Sequence, residues 1–105
     1  MARVLVTGAT GFLGSRITHQ LLKSTKMSVI GTSSQVSWKG ERLRRTLEDC
    51  TDLKQTSVTD RLELVECDML LDYECFYKAV KECKPDYVIH TACPFMQDVG
   101  ATKDE

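Results

Sequence analysis

The chain has 105 residues, with 14 Lys and Arg against 15 Asp and Glu, for a formal net charge of −1. That length fits about one domain, and 42% hydrophobic with 28% charged residues is the content of a folded globular domain, not a disordered tail. The near-neutral balance leaves no electrostatic footprint for nucleic acid or an anionic membrane, and no apolar stretch approaches the ~20 residues of a membrane span. The N-terminus lacks the apolar core and small-residue cleavage site of a signal peptide, so a cytoplasmic protein is expected.

Arg3-Val4-Leu5-Val6-Thr7 is short, apolar and β-branched and stops at Gly8, which predicts a buried strand ending in a turn. From 11 to 23, Leu13, Ile17, Leu21 and Leu22 recur at helical spacing between polar residues and predict an amphipathic helix. A second strand is expected over 27–32, then a polar loop over 33–40. Leu43, Leu47, Cys50 and Leu53 predict one helix over 41–54. Residues 61–67 alternate as a third strand that Asp68 closes. Asp72 is a plausible N-cap for a helix over 73–83, with Phe76, Ala79, Val80 and Cys83 inward. Pro85 breaks the chain before a fourth strand over 86–90, and the tail from Pro94 shows no periodicity.

Strands alternating with helices imply parallel pairing through crossovers. Four such units in this order give an α/β, doubly wound parallel sheet, incomplete, with strand order 3-2-1-4. The five cysteines, Cys50, Cys67, Cys75, Cys83 and Cys93, are odd in number and contain no C-x-x-C pair. They read as incidental thiols of a reducing compartment. His19 and His90 stand apart from each other and from any cysteine cluster in sequence, so no metal site is expected.

Thr7-Gly8-Ala9-Thr10-Gly11-Phe12-Leu13-Gly14 lies between the first strand and the first helix. Its G-x-x-G-x-x-G spacing has a physical purpose. Gly8 permits a tight exit from the strand, and Gly11 lets a diphosphate approach the backbone with no Cβ in the way. Gly14 allows the helix to pack closely. The N–H groups around Phe12 and Leu13 would then face the diphosphate, aided by the helix dipole.

This opening, V-L-V-T-G-A-T-G-F-L-G, resembles the extended short-chain dehydrogenase/reductases, within the NAD-dependent epimerase/dehydratase superfamily. Leu64-Val65-Glu66-Cys67-Asp68-Met69 and Val88-Ile89-His90-Thr91-Ala92-Cys93-Pro94-Phe95 are similar to its dihydroflavonol-reductase and aldehyde-reductase branch. The resemblance implies a Rossmann-like, NAD(P)-binding N-terminal part over 1–95 and a polar tail over 96–105. It also implies that Asp68 bonds the adenine amino group and Met69 flanks the ring. The backbone of Thr91, Ala92 and Cys93 would line the ribose and diphosphate. Without the resemblance, Asp68 reads as a turn residue ending its strand.

Coenzyme choice turns on the end of the second strand, where an acid would hold the 2′-hydroxyl of NAD and an Arg the phosphate of NADP. Thr32-Ser33-Ser34 stand there with neither charge, and the resembled branch usually carries Arg near Ser34. NADP is favoured, with Lys39 or Arg42 reaching in from the loop, and NAD is the alternative. Lys39 and Arg42 also read as solvated surface charge.

In the resembled family a Ser/Thr, a Tyr and a Lys four residues after it carry out hydride transfer. They belong after the fifth strand, beyond residue 105. Tyr77 and Lys81 have that spacing but fall on the helix before the fourth strand, and read as chance. No catalytic residue is therefore expected in the chain. Three readings follow. The first is the cofactor-binding portion of an oxidoreductase that reduces a small carbonyl or oxidises an alcohol. The second is a non-catalytic module that senses a dinucleotide or binds a partner, and the third is part of a nucleotide-sugar epimerase or dehydratase. The fourth strand would present an unpaired edge, open to self-association.

Overall fold

The computed structural model describes residues 2–68 and 73–92. β1 (Arg3–Thr7) buries Val4, Leu5, Val6 and Thr7, as a parallel strand covered on both faces requires. α1 (Phe12–Ser24) follows and returns the chain to β2 (Ser28–Ser33). Its buried stripe runs through Gly14, Thr18 and Leu22, with Ile17 and Leu21 packed against the core. Leu13, expected on that stripe, is instead 56% exposed. The helix turns its glycine inward at the first turn, where the backbone of the preceding loop lies too close for a leucine.

A π-helical turn over Val36–Gly40 runs directly into α2 (Glu41–Glu48). The single helix expected over 41–54 therefore ends early, and a separate helix, α3 (Gln55–Arg61), precedes β3 (Leu62–Glu66). α3 was not anticipated, because Thr, Ser and Val are weak helix formers. Tertiary contacts fix it instead. Val58 is fully buried, and the Arg61 guanidinium donates to Thr25 O at 2.7 Å, to Met27 O at 3.0 Å and to Leu22 O. Leu22 O is one of the carbonyls that the last turn of α1 leaves free, and Thr25 O and Met27 O belong to the link to β2, so Arg61 ties both to α3.

α4 (Tyr73–Cys83) leads to β4 (Tyr87–His90). Arg3 clamps this junction, with its N–H 2.8 Å from Asp86 Oδ2 and its guanidinium 2.7 Å from Cys83 O. All pairings are parallel: Leu5 sits opposite Ile30 on β2 and Val88 on β4, and Ile30 opposite Glu63 on β3. The order is β3-β2-β1-β4, the expected doubly wound arrangement. The chain winds outward from β1 to β3 and then crosses to the other side of β1. The C-terminal ends of β1 and β4 thus flank a switch point, where open α/β sheets bind ligands. Among the described residues no helix is long and apolar enough to cross a membrane.

The thiol reading fails for two of the five cysteines. Cys67, just past β3, is disulfide-bonded to Cys75 in the first turns of α4, with Cα atoms 5.7 Å apart. Eight residues separate them, and the return of the chain from β3 into α4 brings them together. Cys50 and Cys83 are free thiols. Burial, with Glu63 nearby, pushes the Cys83 thiol up. Cys93, Met69, the expected cap Asp72 and the tail lie outside the described residues.

Candidate dinucleotide site

The glycine loop is held from two sides. On the β2 side, Gly8 N–H donates to Thr32 Oγ1 at 3.2 Å, Ala9 N–H donates to Thr32 O at 2.9 Å, and the Thr10 and Ser33 hydroxyls meet at 2.8 Å. On the β4 side, Thr7 Oγ1 accepts the N–H of Thr91 at 3.0 Å and of Ala92 at 3.2 Å. A hydroxyl has one proton and two acceptor sites, so the Thr7 proton remains for His90 Nδ1, 2.8 Å away. Thr91 Oγ1 in turn donates to Thr7 O. The loop thus rests on the ends of three strands.

Each motif glycine meets a different neighbour. Gly8 has φ +67°, a left-handed conformation that only glycine adopts cheaply, and a Cβ on it would come within 3.0 Å of the Ala92 backbone. At Gly14 a Cβ would sit 2.0 Å from Gly8 O and 2.9 Å from Ala9 Cα. Gly14 is thus required by the loop beneath it, more than by the sheet. Gly11 differs from both: a Cβ there would meet only Gly8 O, at 3.3 Å. That contact is tight by only a few tenths of an ångström, so Gly11 is the least crowded of the three motif glycines.

Gly11 is also the N-cap of α1, where no side chain caps the helix and no acid stands in the first turn. Phe12, Leu13 and Gly14 thus begin the helix with its positive dipole end unscreened by the protein. Phe12 is 78% exposed, with the Arg16 guanidinium 4.5 Å from its ring centroid. An anion at this end meets backbone donors and a nearby cation.

A cavity of about 370 Å³ opens beside the loop, lined by Thr10, Gly11, Phe12, Ser15, Lys39 and Arg42 among others. Lys39 Nζ donates to Ser34 Oγ at 3.3 Å, just past the end of β2. Lys39 and Arg42 also lie 5.6 and 5.3 Å from the Trp38 ring centroid, so one indole gathers both cations at this rim. The π-helical turn places Trp38 and Lys39 there, and the first turn of α2 places Arg42. Ser33 is buried, whereas Ser34 is half-exposed. Cys67 N–H donates to Ser33 O at 2.8 Å, so half-buried Asp68 begins beside the end of β2. The structure therefore brings Gly8, Thr10, Gly11, Phe12, Leu13, Gly14, Ser34, Asp68, Thr91 and Ala92 to the C-terminal edge of the sheet. Thr7 and Thr32 hold the loop from below, and sequence reasoning missed them. Their only signal was a hydroxyl at the end of each strand next to the glycines. Tyr77 lies on α4 and is 67% exposed.

Residues 4–104 match the model of the NAD-dependent epimerase/dehydratase family. The chain belongs to this family. A nicotinamide dinucleotide is accordingly the cofactor class that goes with the fold, and the uncapped helix and open Gly11 approach suit its diphosphate. No curated protein matches the chain. Among solved structures, it is 28% identical to an archaeal thiolation-reductase di-domain of a non-ribosomal peptide synthetase, with a TM-score of 0.68, over 90% of this chain and 20% of that one. It is 26% identical to a mutant UDP-glucuronic acid 4-epimerase from Bacillus cereus in complex with NAD and a fluorinated sugar nucleotide, with a TM-score of 0.57, over 86% of this chain and 26% of that one. It is 25% identical to leucoanthocyanidin reductase from Vitis vinifera in a binary complex with NADPH, with a TM-score of 0.53, over 87% of this chain and 27% of that one. The chain thus spans about a quarter or less of each of these proteins.

Proposed function

We propose that the chain is the NADP-binding portion of a reductase that transfers hydride between the cofactor and a small carbonyl or alcohol. Its branch would be the one typified by dihydroflavonol and aldehyde reductases. The observation that carries the coenzyme preference is the convergence of Lys39 and Arg42 on the cavity beside Gly11 and Ser34. In this reading the diphosphate sits over Gly11, against the N–H groups of Phe12 and Leu13, and Gly8 and Gly14 keep the loop closed beneath it. The 2′-phosphate takes Lys39 and Arg42, with the Ser34 hydroxyl as a neutral partner. An acid in their place would repel that phosphate. Asp68 and Met69 would hold the adenine, and Thr91, Ala92 and Cys93 the ribose and diphosphate. When bound, the dinucleotide supplies the hydride chemistry; this chain's residues bind and orient it. The Ser/Thr, Tyr and Lys of proton transfer are assigned to residues other than these 105.

Thermal unfolding with and without NADPH and NADH tests the reading. At about 100 times its dissociation constant, a ligand adds roughly 2.7 kcal/mol to a folded binder. A transition raised by NADPH more than by NADH is expected, and Lys39→Gln with Arg42→Gln should erase the difference. A transition that neither coenzyme moves would contradict the proposal. A second reading, part of a nucleotide-sugar epimerase or dehydratase, is favoured by the family match and by the likeness to the UDP-glucuronic acid epimerase. NADH stabilising as well as or better than NADPH would shift the balance to it.

A further inference from the structure

About two turns along α1 from the glycine loop, a second cluster of chemically capable side chains meets on the surface. His19 points from α1 toward the α2–α3 connection, and its Nε2 lies 3.1 Å from Asp52 Oδ1. Cys50, a free and half-buried thiol, stands in the same connection, and its Sγ donates weakly to Thr46 O at 3.2 Å. The donor atoms of His19, Cys50 and Asp52 all lie within 4.8 Å of one another. We propose that His19, Cys50 and Asp52 form a three-ligand site for a zinc-class divalent ion, separate from the dinucleotide cradle.

The chemistry of the donors selects the ion. One imidazole nitrogen, one thiolate and one carboxylate are a borderline-soft set that suits Zn²⁺ and excludes the all-oxygen preference of Mg²⁺ and Ca²⁺. Tetrahedral zinc with ligands at about 2.0–2.3 Å needs donors roughly 3.3–3.8 Å apart, so side-chain rotation closing the widest gap by about 1 Å completes the set. Cys50 gives up only its weak bond to Thr46 O. The ion takes the place of the thiol proton, which is released to solvent, and of the Nε2–H that His19 shares with Asp52, the neutral imidazole then keeping its one proton on Nδ1; the thiolate and carboxylate together balance its charge. A water fills the fourth position.

Lys23 limits the affinity. Its Nζ lies 3.3 Å from Asp52 Oδ2, and a bound cation would have to share the carboxylate with it. Thirty-three residues separate His19 from Asp52, so the ligand set exists only in the folded chain. An ion bound there ties α1 to the α2–α3 connection and stabilises the fold.

Cobalt(II) as a spectroscopic probe and zinc(II) as its competitor test the site on the 105-residue chain. Cys83→Ser and Cys93→Ser remove the other cysteines outside the disulfide, and the Cys67–Cys75 bond is left oxidised. One equivalent of cobalt should give a thiolate-to-metal charge-transfer band that zinc abolishes, and zinc should raise the unfolding midpoint. Cys50→Ser should remove the band, His19→Gln and Asp52→Asn should each weaken binding at least tenfold, and Lys23→Gln should strengthen it. Far-UV circular dichroism identifies any variant that is unfolded, and the remaining variants then decide. Absence of the band, or a band that persists in folded Cys50→Ser or is unchanged in His19→Gln, overturns the proposal.

Discussion

Gly11 and Gly14 stand three residues apart in one motif and answer to different partners. A side chain at Gly14 would collide with Gly8 O and with Ala9 Cα, both backbone atoms of the loop it packs on. Gly14→Ala is expected to cost at least about 2 kcal/mol, because backbone cannot yield as a flexible side chain does. A side chain at Gly11 meets only Gly8 O, so Gly11→Ala should cost no more than about 1 kcal/mol, the usual loss at an N-cap. It should nevertheless abolish stabilisation by dinucleotide. Chemical denaturation of both variants, repeated with NADPH, separates the two effects. Equal responses to NADPH in Gly11→Ala and the parent chain would sink the diphosphate argument. The spacing of these glycines was legible in the sequence, but their separate duties were not. A string of residues does not say whether the missing Cβ makes room for the protein's own backbone or for something else.

Among the elements, α3 carries the clearest lesson about propensity. Its residues favour a helix weakly, and its position is fixed by the burial of Val58 and by three bonds from Arg61 to backbone carbonyls. Arg61→Ala leaves those acceptors without their charged donor and should lower stability by about 1.5–3 kcal/mol, read from the denaturation midpoint. Arg61→Lys should recover only part of this, since one ammonium cannot reach three carbonyls in the fork geometry of a guanidinium. The Cys67–Cys75 bond links the end of β3 to α4. Closing a loop of this size is worth roughly 2–3 kcal/mol through the unfolded chain. Reduction by a dithiol should lower the unfolding midpoint accordingly, and Cys75→Ser should show the lower value with or without reductant. No change on reduction would mean that the bond adds nothing to the fold.

At the scale of the whole molecule, the sheet is ordered β3-β2-β1-β4, and both β3 and β4 are edges of the described sheet. β4 exposes Tyr87 by 60% and Val88 by 47%. An exposed apolar edge is a template for pairing with another chain. The 105-residue chain is expected to elute larger than a monomer at high concentration, and Val88→Lys should shift it toward the monomer. Concentration-independent monomeric elution of the parent chain would contradict this.

The sequence by itself determined the doubly wound order, because short apolar strands alternating with amphipathic stretches permit few parallel topologies. It also located the glycine loop, since a motif between a strand and a helix is a local pattern. The bounds of β1 and α4 were legible for the same reason: the apolar run of β1 stops at Gly8, and the helical spacing of α4 stops just before Pro85. What only the tertiary structure decided depends on the paths that the connections take between elements. The Cys67–Cys75 bond, the Arg61 contacts, the gathering of Lys39 and Arg42 by Trp38 beside Ser34, and the meeting of His19 with Cys50 and Asp52 all arise where connections return to the sheet or to α1. The path of a connection is set by packing over the whole core, and no local pattern in the residues records it.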